Sequence, residues 1–240
     1  MSVYEHLAEL RRRIIYSALA FAAGAVLVYF FSNQVRDFLL RPGEILLGPG
    51  GGRLVWKSLP EAFLLQLRIA AYGGLVLASP VIMYNLLAFV LPGLEARERA
   101  YVRRVMPAGL LLFLAGVSFA YFVFLPFALR FFTSFDTDRI HILMSAGDLI
   151  TFTLNFVLPF GVVFELPLVV YFLAGLGIVS PAFLVRNRKF AVLAIFITAA
   201  VLTPPDIFSQ FAMAVPMLGL YELSIWVSRV AVRGRRRESR

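Results

Sequence analysis

The chain has 240 residues, 60% of them apolar, 15% aromatic and only 15% charged, with a mean hydropathy of +0.84 and a net charge of +9. A soluble domain needs roughly 25% charged residues to cover its surface, so an ordinary soluble globular domain and a disordered chain are both excluded. The apolar residues fall in long blocks, which puts the protein in a bilayer.

In chain order the blocks predict transmembrane helices over about 14–32, 62–90, 104–129, 150–176, 189–204 and 207–228, with a basic tail over 229–240. A helix rises about 1.5 Å per residue and the hydrocarbon core is about 30 Å thick, so about 20 residues are needed to cross. Three arginines precede the first block, and no small-residue cleavage site leads into a soluble body; that block reads as a retained span. Residues 32–62 are expected as an outer loop holding the glycines from Gly48 to Gly52. Ser58-x-x-Glu61 is a capping box that starts the second helix. Ser145-x-x-Asp148 is a weaker cap signal for the fourth helix, and Ser180-Pro181 suits the start of a short surface helix after it.

The fifth and sixth segments are expected to be short. Thr203-Pro204-Pro205-Asp206 must end the fifth, because adjacent prolines remove two donors and crowd the preceding turn, and Asp206 is placed to cap the sixth. Pro167 should bend the fourth span by freeing the Val163 carbonyl, and Pro80, Pro159 and Pro216 should kink theirs. The basic tail is expected to be disordered and drawn to anionic lipid.

Charge sets the orientation. Sixteen of the 23 basic residues lie at positions 11–13, 97–104, 186–189 and 229–240. The positive-inside rule then places both termini in the cytoplasm, which requires an even number of crossings, and six satisfies it. The +9 is thus a topology signal rather than a nucleic-acid surface.

Few residues offer chemistry. Two histidines, His6 and His141, on opposite sides by this topology, cannot build a metal site or a Ser-His-Asp triad; no phosphate-binding Gly-rich loop occurs, and the absence of cysteine removes thiolate chemistry. The chain is therefore read as a non-enzyme without metal or cofactor. Glu165 is the outlier: a carboxylate in the middle of a span costs several kcal/mol on insertion scales unless it is wet, protonated or paired. Gln66, Arg68, Asn85 and Gln210 are candidate neighbours. Glu5, Glu9, Glu95 and Glu98 bring acid to the cytoplasmic side. They serve either internal pairing or the docking of a basic peptide, whose guanidinium groups pair bidentately with carboxylates.

Several blocks in fixed order resemble the TatC family, the multi-spanning receptor subunit of the twin-arginine protein translocase. They are His6-Leu7-x-Glu9-Leu10-Arg11-x-Arg13, Ser79-Pro80 with Tyr84, Phe89-x-x-Pro92-x-Leu94-x-x-x-Glu98-Arg99, Phe119-Ala120-Tyr121-Phe122 leading to Pro126, Phe160-Gly161 with Phe164-Glu165-x-Pro167, and Leu202-Thr203-Pro204-Pro205-Asp206-x-Phe208-Ser209-Gln210 followed by Pro216.

The resemblance implies an all-α fold of six transmembrane helices in a cupped, glove-like arrangement in the cell inner membrane. It implies a receptor that binds twin-arginine signal peptides of folded precursors. It also implies assembly with TatA-like and TatB-like single-span partners into an oligomeric complex, and export driven by the proton-motive force. Carried over by motif, Glu9, Arg11, Phe89, Leu94 and Glu98 are the signal-peptide residues and Glu165 is the intramembrane polar site. Gln210 and Met213 contact partner helices, while Pro42, Pro80, Pro167, Pro204, Pro205 and Asp206 are structural. Two other readings are a proton- or ion-coupled solute transporter using Glu165, and a purely structural assembly scaffold. Solute flux through the chain alone marks the first; partner capture without signal-peptide crosslinks marks the second.

Overall fold

A computed structural model describes residues 3–47, 56–90, 96–135, 145–203 and 205–238. Side chains are described for 4–45, 56–58, 60–89, 106–135, 145–203 and 205–232. The described residues are almost entirely helical: α1 (Val3–Phe30), α2 (Ser32–Leu47), α3 (Leu59–Val90), α4 (Ala96–Phe119), a π-helical turn (Ala120–Phe124), α5 (Leu125–Thr133), α6 (Ala146–Val163), α7 (Leu166–Gly175), α8 (Pro181–Arg186), α9 (Arg188–Leu202) and α10 (Ile207–Glu238). Among the described residues, five continuous stretches are long and apolar enough to cross a membrane: Tyr4–Phe30, Pro60–Phe89, Met106–Thr133, Ala146–Gly175 and Ile207–Val232. The expected 189–204 span is the 15-residue α9, about 22 Å long and outside that set.

The chain divides into two compact units, Met1–Glu95 with Ala120–Leu158, and Ala96–Phe119 with Pro159–Arg240. In the first, α1 packs on α3 at a crossing of small residues. A Cβ on Gly74 would stand 2.5 Å from the Ala25 backbone nitrogen, and one on Gly24 would stand 2.9 Å from the Gly74 oxygen. Without a hydrophobic drive between spans, such close backbone approach is what holds two membrane helices together. The core beside it joins Leu39 and Leu40 of α2, Leu65 and Ile69 of α3, Leu125 and Leu129 of α5, and Leu149 and Ile150 of α6.

The largest departure from the sequence reading is α2, which replaces part of the expected outer loop 32–62. It is an amphipathic helix: Leu39 and Leu40 are buried while Asp37 is exposed. Pro42 sits inside it, buried. A proline at 42 removes the N–H that would bond the Phe38 carbonyl. Tyr121 supplies the replacement: its hydroxyl donates to the Phe38 oxygen at 2.5 Å, and its ring stacks on Phe38 at 4.3 Å. Tyr121 lies in the π-helical turn, whose extra residue re-aims the side chains along that helix. In α3, Pro80 likewise deprives the Val76 carbonyl of its donor, and the Ser79 hydroxyl bonds that oxygen at 2.7 Å. The helix runs unbroken through Pro80, as α6 does through Pro159 and α10 through Pro216.

At one end of this unit two caps interlock. The Glu61 carboxylate accepts from the Ser58 and Lys57 backbone N–H groups at 3.2 and 2.6 Å, which is one arm of the capping box. Its other oxygen accepts from the Ser145 hydroxyl at 2.8 Å, and Ser145 Oγ in turn caps α6 through the Gly147 N–H at 3.1 Å. Asp148 pairs with Lys57.

In the second unit α10 packs on α7 and α9, and α4 on α7. Close approaches again occur at glycines: a Cβ on Gly116 would stand 2.5 Å from the Phe160 oxygen, and one on Gly161 2.7 Å from the Phe113 ring. The predicted bend at Pro167 is a break between α6 and α7, with Glu165 at the N-cap of α7. At the far end of α7, Gly177 adopts φ 79°, a conformation that favours glycine, and the Ile178 N–H returns to the Leu173 carbonyl at 3.0 Å. Ser180 Oγ caps α8 through the Phe183 N–H at 3.1 Å, and Asp206 Oδ1 caps α10 through the Ser209 N–H at 2.7 Å.

Two expectations are corrected here. Only α9 is short, because α10 extends over 32 residues. The tail, expected to be disordered, continues α10 to Glu238; alanine, arginine and glutamate favour helix, and no proline follows Pro216. Gly48–Gly52, Leu94, Glu95, Asp136, Asp138, His141 and Pro204 lie outside the described residues.

Candidate functional site

The antiparallel packing of α1 on α3 brings the N-terminal turns of α1 against the last turns of α3. His6 stacks on Phe89 with ring centroids 4.4 Å apart and planes at 21°. One turn on, Glu9 Oε1 accepts from Arg13 Nη2 at 3.0 Å and Nε at 3.3 Å. Arg13 also reaches α3: Nη1 lies 3.5 Å from Asn85 Oδ1, and its Cζ stands 5.9 Å from the Tyr84 ring centre. Glu9 and Phe89 are eighty residues apart in sequence; the packing of α1 on α3 sets Phe89 against His6, one turn before Glu9 on α1. The edge carries a carboxylate, a guanidinium and two aromatic faces, the chemistry that recognises a cationic, partly apolar ligand.

Other expected site residues stand differently. Arg11 is exposed. Arg12 donates to the Tyr16 hydroxyl at 3.0 Å. Glu98 lies in the first turn of α4, and its side chain is outside those described.

Asn85 is a buried partner of Arg13. Arg68 donates to Thr151 Oγ1 at 3.1 Å, and the Gln210 amide donates to the Phe196 carbonyl at 3.1 Å. In sequence Arg13 stands out only as part of a motif and of the basic cluster at 11–13. The signal that marks it is the spacing of four from Glu9, which sets a glutamate and an arginine side by side on a helix.

Glu165 lies in the second unit, where Pro167 has opened the helix. It caps no backbone N–H, and its Oε1 is buried with no hydrogen-bond partner among the described residues. Ser209 Oγ is in the same condition. Met213, assigned to a partner-helix contact by motif, is 0% exposed, and Ala214 and Met217 are buried, while Phe211 and Val215 are the exposed residues of that stretch. No group of three or more potential metal ligands converges among the described residues.

The family model described as Sec-independent protein translocase protein (TatC) matches residues 5–216. The chain is 44% identical to the Sec-independent protein translocase protein TatC of Carboxydothermus hydrogenoformans, over 95% of this chain and 93% of that one. It is 36% identical to TatCy of Bacillus subtilis, over 100% of this chain and 91% of that one. A solved structure described as the twin-arginine translocase receptor TatC superposes with a TM-score of 0.84 at 34% identity, covering 94% of this chain and 99% of the other.

Proposed function

The chain belongs to the TatC family, and from that premise we propose that it is the receptor subunit of a twin-arginine protein translocase, binding the paired arginines of a signal peptide at the edge formed by α1 and α3. The observation that carries the reading is the stacking of His6 on Phe89, one helical turn from the Glu9 carboxylate on α1. A guanidinium needs a carboxylate acceptor in a plane it can fork onto, and an aromatic face beside it holds the rest of the peptide. Arg11, Leu94 and Glu98 are assigned to the same site by motif, with Glu98 as the second carboxylate for the second arginine.

The distribution of basic residues supports six crossings with both termini in the cytoplasm. The short α9 is then a full crossing that thins the bilayer around it. Partners are single-span proteins of the TatA and TatB kind, met on the exposed faces of α9 and α10 near Gln210; the complex is oligomeric and lies in the cell inner membrane. Glu165 is the intramembrane polar site of this receptor.

Photo-crosslinking tests the proposal. A twin-arginine signal peptide with a photoreactive residue beside its arginine pair is expected to label position 89, and Glu98→Gln is expected to weaken the labelling. Equal labelling by a twin-lysine peptide, or labelling unchanged by Glu98→Gln, refutes the recognition role.

A further inference from the structure

We infer that Arg13 is the affinity-setting residue of this site: it is an internal ligand that holds Glu9 in the empty receptor and must be displaced by a signal-peptide arginine. The inference rests on the reading of Glu9 as a guanidinium acceptor. Arg13 presents Nε and Nη2 to a single oxygen, Glu9 Oε1, at 3.3 and 3.0 Å. That is the same edge of the guanidinium with which an incoming arginine would bind. The other oxygen, Oε2, takes no hydrogen bond from a described residue, so a second guanidinium can engage Oε2 before Arg13 leaves Oε1.

Arg13 also has somewhere to go. Its Nη1 is already 3.5 Å from Asn85 Oδ1, and its guanidinium carbon is 5.9 Å from the centre of the Tyr84 ring. A neutral amide oxygen and an aromatic face are both good seats for a displaced guanidinium. Asn85 is buried, so this seat is fixed in place by the packing of α3. Exchange therefore needs a side-chain shift of Arg13 and no unfolding of α1.

The consequence follows from mass action. An internal ligand lowers the apparent affinity of every competing cation by the same factor, without altering their ranking. With Arg13 and Glu9 side chains 24% and 22% exposed, a pair of this kind is worth about two- to five-fold in an equilibrium constant. A peptide with one cationic residue then stays below occupancy. A peptide that adds a second guanidinium and an apolar segment overcomes the same factor.

The test uses the purified full chain in lipid nanodiscs and two fluorescent peptides of identical sequence except for Arg-Arg or Lys-Lys at the pair. Arg13→Gln is expected to tighten both peptides by the same factor, about two- to five-fold, leaving their ratio unchanged, and Arg13→Lys to fall between it and wild type. In a Glu9→Gln background, which itself weakens both peptides, Arg13→Gln is expected to have no further effect. A loss of affinity in Arg13→Gln, or none of the gain, with Glu9→Gln still weakening binding, makes Arg13 a prop for Glu9 and overturns the inference while the receptor reading stands. Affinity unmoved by Glu9→Gln removes Glu9 from the site and takes both down.

Discussion

Tyr121→Phe removes one hydroxyl and little else. The ring stays stacked on Phe38 at 4.3 Å, so the loss is confined to the 2.5 Å hydrogen bond to the Phe38 carbonyl. Tyr121 is 7% exposed, so no bulk water replaces the donor, and Pro42 has no N–H with which to do so. An acceptor left unsatisfied in such surroundings costs about 1–3 kcal/mol. The decisive comparison is the same substitution in a Pro42→Ala background, where residue 42 regains an N–H and the ordinary helical bond to Phe38 forms. There Tyr121→Phe is expected to cost less than half as much. The cysteine-free chain accepts two engineered, biotinylated cysteines, so the unfolding free energy of all four proteins can be read in bicelles by steric trapping. A cost of Tyr121→Phe equal in both backgrounds would refute the idea that the tyrosine stands in for the donor the proline lacks, since a double-mutant cycle isolates that coupling.

Gly74→Ala should destabilise by about 1–3 kcal/mol, because its Cβ meets the Ala25 backbone rather than a side chain able to turn away. Gly219→Ala, with nothing within 4 Å, should be neutral or gain up to about 1 kcal/mol from helix propensity; equal shifts in the same unfolding assay would dismiss the close crossing as the cause. Asp206→Ala should cost about 1 kcal/mol through loss of the 2.7 Å cap on Ser209, and a hydrogen-exchange experiment should find the first turn of α10 opening sooner, whereas unchanged protection there would contradict the cap. Glu165→Leu should raise thermal stability, because it removes a buried oxygen that has no partner among the described residues, while reducing export in cells; a stability loss would mean the carboxyl is satisfied within the fold.

The sequence by itself determined what depends on neighbours along the chain. Length and hydropathy marked the membrane segments, since a crossing needs only about 20 apolar residues whatever surrounds them. Ser58-x-x-Glu61, Ser180-Pro181 and Asp206 marked helix starts, because a cap bonds an N–H two or three residues away. Pro167 marked the break before α7 for the same local reason. An ordered run of short motifs was enough to name the family.

The tertiary structure decided whatever requires two distant residues to meet. Pro42 and Tyr121 belong to separate motifs that nothing in the sequence connects, and only the packing of the π-helical turn against α2 makes one answer the other. Asn85 and Arg13 are far apart in sequence, and the α1–α3 crossing brings them together. That Met213 is buried while Phe211 and Val215 are exposed is decided by how α10 is rotated, which neighbouring helices set and the residue itself does not. In a span that is apolar all round, hydropathy has no angular preference, so the face each helix turns inward is fixed only when the helices pack.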